Sequence, residues 1–150
     1  MGYNIAADLL EHSLQDSPKD MYFNNGSDIA NKIKNNADFK TVLDTVMKNQ
    51  VNDFKLTDSI TVTFHSGDLY YGIHHSEAYF AGYKQEDGNW LIDVKLIDTY
   101  DYTEFTTCMD ESGMHFSLGT VANDAAVISQ DLGAITPYEI VVEFQIQLEG

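Results

Sequence analysis

At Asp58 the spacing of apolar residues changes from helical to alternating, and that switch constrains the fold more than any other feature of the sequence. Before it, Ile5, Leu9, Leu10 and Leu14 recur one helical turn apart, and Ser17-Pro18 closes the element. Asn24-Asn25-Gly26 is a turn, and Ser27 is placed to cap a short helix carrying Ile29 and Ile33. Phe39, Val42, Leu43, Val46 and Met47 mark a third helix whose apolar face must pack on something. These patterns predict helices over 4–15, 27–35 and 38–48.

After Asp58, Ile60, Val62 and Phe64 alternate with Thr61, Thr63 and His65. Ser66-Gly67-Asp68 reads as a turn, and Leu69 to Ile73 as the next strand. Glu86-Asp87-Gly88-Asn89 is a hairpin signal between two alternating runs. Strands are expected over 59–65, 69–75, 77–84, 90–97 and 139–148, with one more helix over 119–132 that Gly133 stops. A meander of short connections is antiparallel. The expected class is α+β: N-terminal helices packed on an antiparallel meander sheet, one further helix, and a final strand rejoining the sheet. At 150 residues the chain is read as a single α+β domain, with 1–57 its helical part and 58–150 its acidic sheet part.

Charge narrows the function classes. Residues 1–57 hold six Lys and eight acids, a net of −2, whereas 58–150 hold two Lys and 16 acids, a net of −14. There is no Arg. Phosphate backbones and anionic membranes need clustered Lys and Arg, so no nucleic-acid partner is expected. A basic protein partner or a divalent cation, Mg²⁺ or Ca²⁺, fits the charge better. No apolar run approaches the ~20 residues of a transmembrane segment. The acidic N-terminus lacks the basic flank of a signal peptide. The chain is therefore expected to be secreted if it is part of a larger toxin, and otherwise cytoplasmic. Cys108 stands alone, which excludes a disulfide framework and a cysteine-based zinc site.

The densest polar cluster is Asp98-Thr99-Tyr100-Asp101-Tyr102-Thr103-Glu104, directly after the strand that starts at Trp90. A strand that hands over to a loop fixes the groups at its end, which suits catalysis. Asp98 shares the parity of Trp90, Ile92, Val94 and Leu96, so it emerges on the core face. Asp101 returns to the same side if the chain turns. His115, in Gly113-Met114-His115-Phe116, is the general acid or base favoured by placement. The expected catalytic set is thus Asp98, Asp101 and His115, with Tyr100 and Glu104 contacting substrate. Asp98 and Asp101 are the candidate oxygen ligands for a cation. His65 and either His74 or His75 are a second candidate pair, facing each other across a hairpin at Ser66–Asp68. In Asn123-Asp124 both side chains fall off the apolar stripe of the helix expected there.

Two segments carry a resemblance, NWLIDVKLIDTYDYTEF and SLGTVANDAAVISQDLGAITPYEIVVEF, together with the opening AADLLEHSLQDSPKD. They look like C-terminal effector modules of bacterial polymorphic-toxin proteins, which implies a toxin tip delivered to competing bacteria. The run Asp98, Tyr100 and Asp101 is also similar to the carboxylate motif of colicin-M-like enzymes, which cleave the peptidoglycan lipid precursor. That family places a His soon after the motif, followed by Arg. Here position 107 is Thr, the next His is His115, and Arg is absent, so the substrate does not carry over. Two functions stand side by side at this point. One is an antibacterial effector, a hydrolase with a carboxylate/histidine site. The other is a non-catalytic acidic binding module, an immunity or inhibitor protein that neutralises a basic partner.

Overall fold

The computed structural model describes residues 4–13, 18–100 and 137–150. In chain order the elements are α1 (Asn4–Ser13), β1 (Met21–Phe23), α2 (Asp28–Asn35), α3 (Ala37–Met47), β2 (Phe54–Lys55), β3 (Ile60–Thr63), α4 (Gly67–Ile73), β4 (His75–Lys84), β5 (Trp90–Tyr100) and β6 (Tyr138–Leu148). The class is α+β, as the change of period predicts. The six strands form one sheet in the order β1-β6-β5-β4-β2, and β3 shares with β2 the outer edge of β4. β2 meets Ala81 and Gly82, while β3 meets His75 to Ala78, both antiparallel. β4 and β5 are antiparallel from Glu77↔Ile97 to Lys84↔Trp90. Beside β5, Asp93 and Lys95 meet Gln145 and Glu143, so β6 runs antiparallel to it. β1 runs parallel to β6, with Asp20 bonded to Glu139 and Asn25 to Gln145.

The chain divides into two compact units that alternate along the sequence. The larger described unit comprises Tyr22–Phe64, His75–Asp98 and Ile140–Gly150. Its helices start on side-chain caps. Ser27 Oγ accepts from the Ala30 N–H at 3.3 Å, and Asn36 Oδ1 from the Phe39 N–H at 3.0 Å. The cap at Asn36 puts Phe39 where its ring meets Phe80 and Phe144, at centroid distances of 6.1 and 5.6 Å. Ile33, Leu43, Val62, Ile92, Leu96 and Ile140 close the same core. The Glu86–Asn89 loop is the expected hairpin. Gly88 adopts φ 87°, and Asp87 Oδ1 accepts from the Asn89 N–H at 3.0 Å.

The other unit contains α1 and α4, together with 18–21, 99–100 and 137–139 of the described residues. Here the structure corrects the sequence reading, because 69–75 is not a strand. Gly67–Ile73 is a helix, and only His75 belongs to the following strand. Leu69, Tyr71 and Ile73 fit a period of two, but the buried set is Asp68, Leu69, Tyr71, Gly72 and Ile73. The pairs 68/72 and 69/73 are one helical turn apart and pack on α1. Gly72 permits that approach. A Cβ there would lie 3.1 Å from Leu9 Cδ1 and 3.7 Å from Ala6 Cα. Asp68, read as a turn residue, is buried, and its carboxylate accepts from the backbone N–H groups of Ile5 at 3.0 Å and Ala6 at 2.7 Å.

The remaining differences are smaller. β3 ends at Thr63, two residues short of the expected 65, because the chain turns there toward α4. β5 continues three residues beyond Ile97. β1 and β2 are three and two residues long, too short to carry a period. The helix expected over 119–132 lies outside the described residues.

Candidate functional site

β5 alternates buried and more exposed positions along its whole length, and Asp98 falls on the buried side with Trp90, Ile92, Val94 and Leu96. Its exposure is 8%. The carboxylate is therefore a strand residue on the core face rather than the first residue of a loop. A charged group there needs hydrogen bonds or a counter-charge, since bare desolvation costs several kcal/mol. Asp98 has interactions of this kind.

Tyr100 is buried in the other unit. Its ring stacks on Tyr138, with centroids 5.2 Å apart and planes 23° from parallel. The Tyr138 hydroxyl donates to the Leu9 carbonyl at 2.6 Å, and the His12 ring stands edge-on to Tyr138 at 4.6 Å. His12 is fixed in turn by a 2.6 Å contact between Nε2 and the Lys19 carbonyl. Tyr100 is thus part of an aromatic stack that anchors α1. Asp101, Glu104, His115, Cys108 and Asn123-Asp124 lie outside the described residues. Of the two expected cation ligands only Asp98 lies among the described residues. No group of three His, Cys, Asp or Glu side chains among the described residues is arranged to hold a metal.

The second histidine candidate changes with α4. With a helix between them, His65 and His74/His75 do not face each other across a hairpin. His74 caps the C-terminus of α4 and its ring meets Tyr70 at 4.5 Å. His75 opens β4 opposite Thr63, whose Oγ1 lies 3.1 Å from His75 Nδ1. Two residues along, Glu77 accepts from the Ser59 hydroxyl at 2.7 Å and the Thr61 hydroxyl at 2.8 Å. These bonds hold its carboxyl below the ordinary carboxylate value.

A concavity that no sequence motif announces lies on the opposite face of the sheet, within the larger unit. It has a volume of about 840 Å³ and is built across β2, β4, β5 and β6. Register explains it. Lys55 lies opposite Ala81, and Ala81 lies opposite Asp93. Asp93 Oδ1 accepts from the Gln145 amide at 2.8 Å. One row across four strands thus reads Lys55, Ala81, Asp93, Gln145. Ala81 is the small residue in that row, and Tyr79 and Tyr83 flank it along β4. The next row places Lys95 opposite Tyr79, with Glu143 3.8 Å beyond. The alternation of Leu91, Asp93, Lys95 and Ile97 was legible in the sequence. The register that puts an alanine between two tyrosines was not.

No family model matches the chain, and no curated protein matches it. Among solved structures the chain is similar to PaeM, a colicin M-like bacteriocin produced by Pseudomonas aeruginosa, at 16% sequence identity and a TM-score of 0.44. The likeness covers 97% of this chain and 51% of PaeM, so the chain spans about half the length of that protein. Among the described residues no helix is long and apolar enough to cross a membrane.

Proposed function

We propose that the chain is an antibacterial effector module, a hydrolase whose reactive carboxylate is Asp98. The observation that supports this reading is the burial of Asp98 on the core face near the end of β5, where it opens the polar run 98–104. A solvent-facing turn would hold a strand-ending aspartate at no desolvation cost. Burial restricts its rotamers and strengthens its interactions with whatever charge develops nearby. In this reading Asp98 accepts a proton or orients a water. Asp101 and His115 complete the acid–base set and Glu104 contacts the substrate, while Tyr100, buried against Tyr138, holds the strand end in place. The sequence resemblance to polymorphic-toxin tips supplies the biological setting.

The test is growth of a susceptible bacterium expressing the chain, once in the cytoplasm and once with an export signal. The expected result is a growth defect in one compartment that Asp98→Asn removes while the circular dichroism spectrum stays unchanged. No defect in either compartment, or a defect that survives Asp98→Asn, overturns the proposal.

A further inference from the structure

The geometry points to a binding site for a neutral oligosaccharide in the groove on the outer sheet face, separate from the reading built on Asp98. Three observations carry it. The first is the shape. A concavity of about 840 Å³ falls in the size range of small-ligand sites. Its middle row carries the short side chain of Ala81 between two exposed tyrosines. Tyr79 and Tyr83 are 38% and 41% exposed. They lie four residues apart on one face of β4, about 14 Å along the strand. That span suits a short chain of sugar rings rather than a single ring.

The second observation is charge. The chain carries −16 overall, yet the charged side chains lining the groove balance. Lys55 and Lys95 stand against Asp93 and Glu143, and Lys95 is one of only two Lys in 58–150. A balanced face offers no net attraction to a polyanion or to a basic peptide. It does offer donors and acceptors of both kinds to a ligand that carries many hydroxyls and no charge.

The third is the chemistry of the two surfaces. A pyranose ring has an apolar face of C–H groups, which lies against the electron-rich face of a tyrosine ring. Its edge carries hydroxyls that each donate and accept, which match carboxylate and amide side chains. Asp93 is held in place through Oδ1 by Gln145, and Oδ2 remains an acceptor for a ligand hydroxyl. The Lys95–Glu143 pair, 3.8 Å apart, presents one donor and one acceptor beside Tyr79. Tyrosine rings at the two ends, Asp93 held between them and the Lys95–Glu143 pair beside Tyr79 describe a sugar-binding cleft. An apolar protein partner would meet charged groups on the floor.

The test is isothermal titration of the full chain with chitotetraose, cellotetraose and maltotetraose. At least one is expected to bind, with Kd on the order of 0.1–1 mM. Tyr79→Ala and Tyr83→Ala should each weaken it about tenfold or more, and Ala81→Leu, which fills the trough, should abolish it. Tyr79→Phe keeps the ring and should bind within about threefold of the parent. Both tyrosines are exposed, so an unchanged circular dichroism spectrum is expected and separates lost binding from lost fold. The inference is overturned if none of the three sugars binds. It is equally overturned if binding survives the Tyr79→Ala/Tyr83→Ala double variant, or if the face pairs two copies of the chain in solution.

Discussion

Asp68→Ala should unfasten α1, and the size of the effect follows from where the two bonded amides lie. The first four N–H groups of a helix have no partner within it. Ile5 and Ala6, the second and third residues of α1, give theirs to the two oxygens of Asp68. The acceptor comes from more than sixty residues away in sequence, on the first turn of α4. Ile5 and Ala6 are buried, so water cannot simply replace it. Loss of an ordinary capping side chain costs about 1 kcal/mol. Bonds to an ionised acceptor are worth about 1.5–3 kcal/mol each, and the helix dipole favours a negative charge there. The two amides share one carboxylate, so the expected cost is about 2–4 kcal/mol, below the sum of two independent bonds. Asp68→Asn keeps one acceptor oxygen but turns an amide N–H toward the second donor. It should cost about 1–2 kcal/mol.

Native-state hydrogen exchange reads this locally. With 1.4 kcal/mol per tenfold change, protection of α1 amides should fall by about 30-fold to 1,000-fold in Asp68→Ala. Protection of β4 and β5 amides should fall by less, because those strands belong mainly to the other unit. If α1 protection in Asp68→Ala stays within about twofold of the parent, the carboxylate does not cap the helix and the energetic reasoning fails.

Two further outcomes follow from contacts already described. Gly72→Val should lower stability by about 1–3 kcal/mol, because its Cβ would meet Leu9 Cδ1 at 3.1 Å and Ile5 Cγ2 at 3.6 Å; a thermal melt measures it. Glu77→Gln tests a pH dependence. The bonds from Ser59 and Thr61 depress the folded-state value of Glu77, so its stabilisation is present above the unfolded value, 4.5, and is lost as pH falls through the folded one. Urea titrations should therefore show the parent more stable than Glu77→Gln at pH 7, by less than about 1 kcal/mol for an exposed group, with the gap shrinking as pH falls below 4.5. A gap that does not shrink would contradict the assignment.

How much was legible depended on whether a local period was decisive. Ser27 before Ile29 and Ile33 announces a cap, and Phe39, Leu43 and Val46 announce a helix face, none of which needs tertiary information. The strands from Trp90 and from Tyr138 are long; the first buries one parity throughout and the second does so except at Val141, so alternation located them and put Asp98 on the core face. Leu69-Tyr70-Tyr71-Gly72-Ile73 was different. Five residues fit a strand and a helix equally well, and what selects the helix is distant, the amides of Ile5 and Ala6 on Asp68 and the close approach of α1 at Gly72. β-branched and aromatic residues in so short a run were outweighed by that packing. The candidate site was legible by residue type and parity at Asp98. Tyr100 lies beyond the expected strand end at 97, and its ring partner, Tyr138, 38 positions further along, is announced by no local pattern.

β5 shows why the two faces of the sheet cannot vary independently. Its even positions, Trp90 to Asp98, enter the core, and its odd positions, Asp93 and Lys95, meet Gln145 and Glu143 on the outer face. The hairpin at Glu86–Asn89 sets which residues of β4 they oppose. Gly88 at φ 87° and the Asp87–Asn89 bonds fix the loop length, and Lys84 pairs with Trp90 across it. A slip of one residue would carry Asp98 to the outer face and Asp93 into the core, exchanging a held carboxylate for an unheld one on both sides. The apolar residues Ile92, Val94 and Leu96 oppose that slip with the burial of three large side chains, each worth about 1.5–3 kcal/mol. The core therefore holds the register, and the register in turn sets Ala81 between Tyr79 and Tyr83 opposite Asp93. The outer groove is thus specified in part by core residues, Ile92 and Leu96, that do not line it.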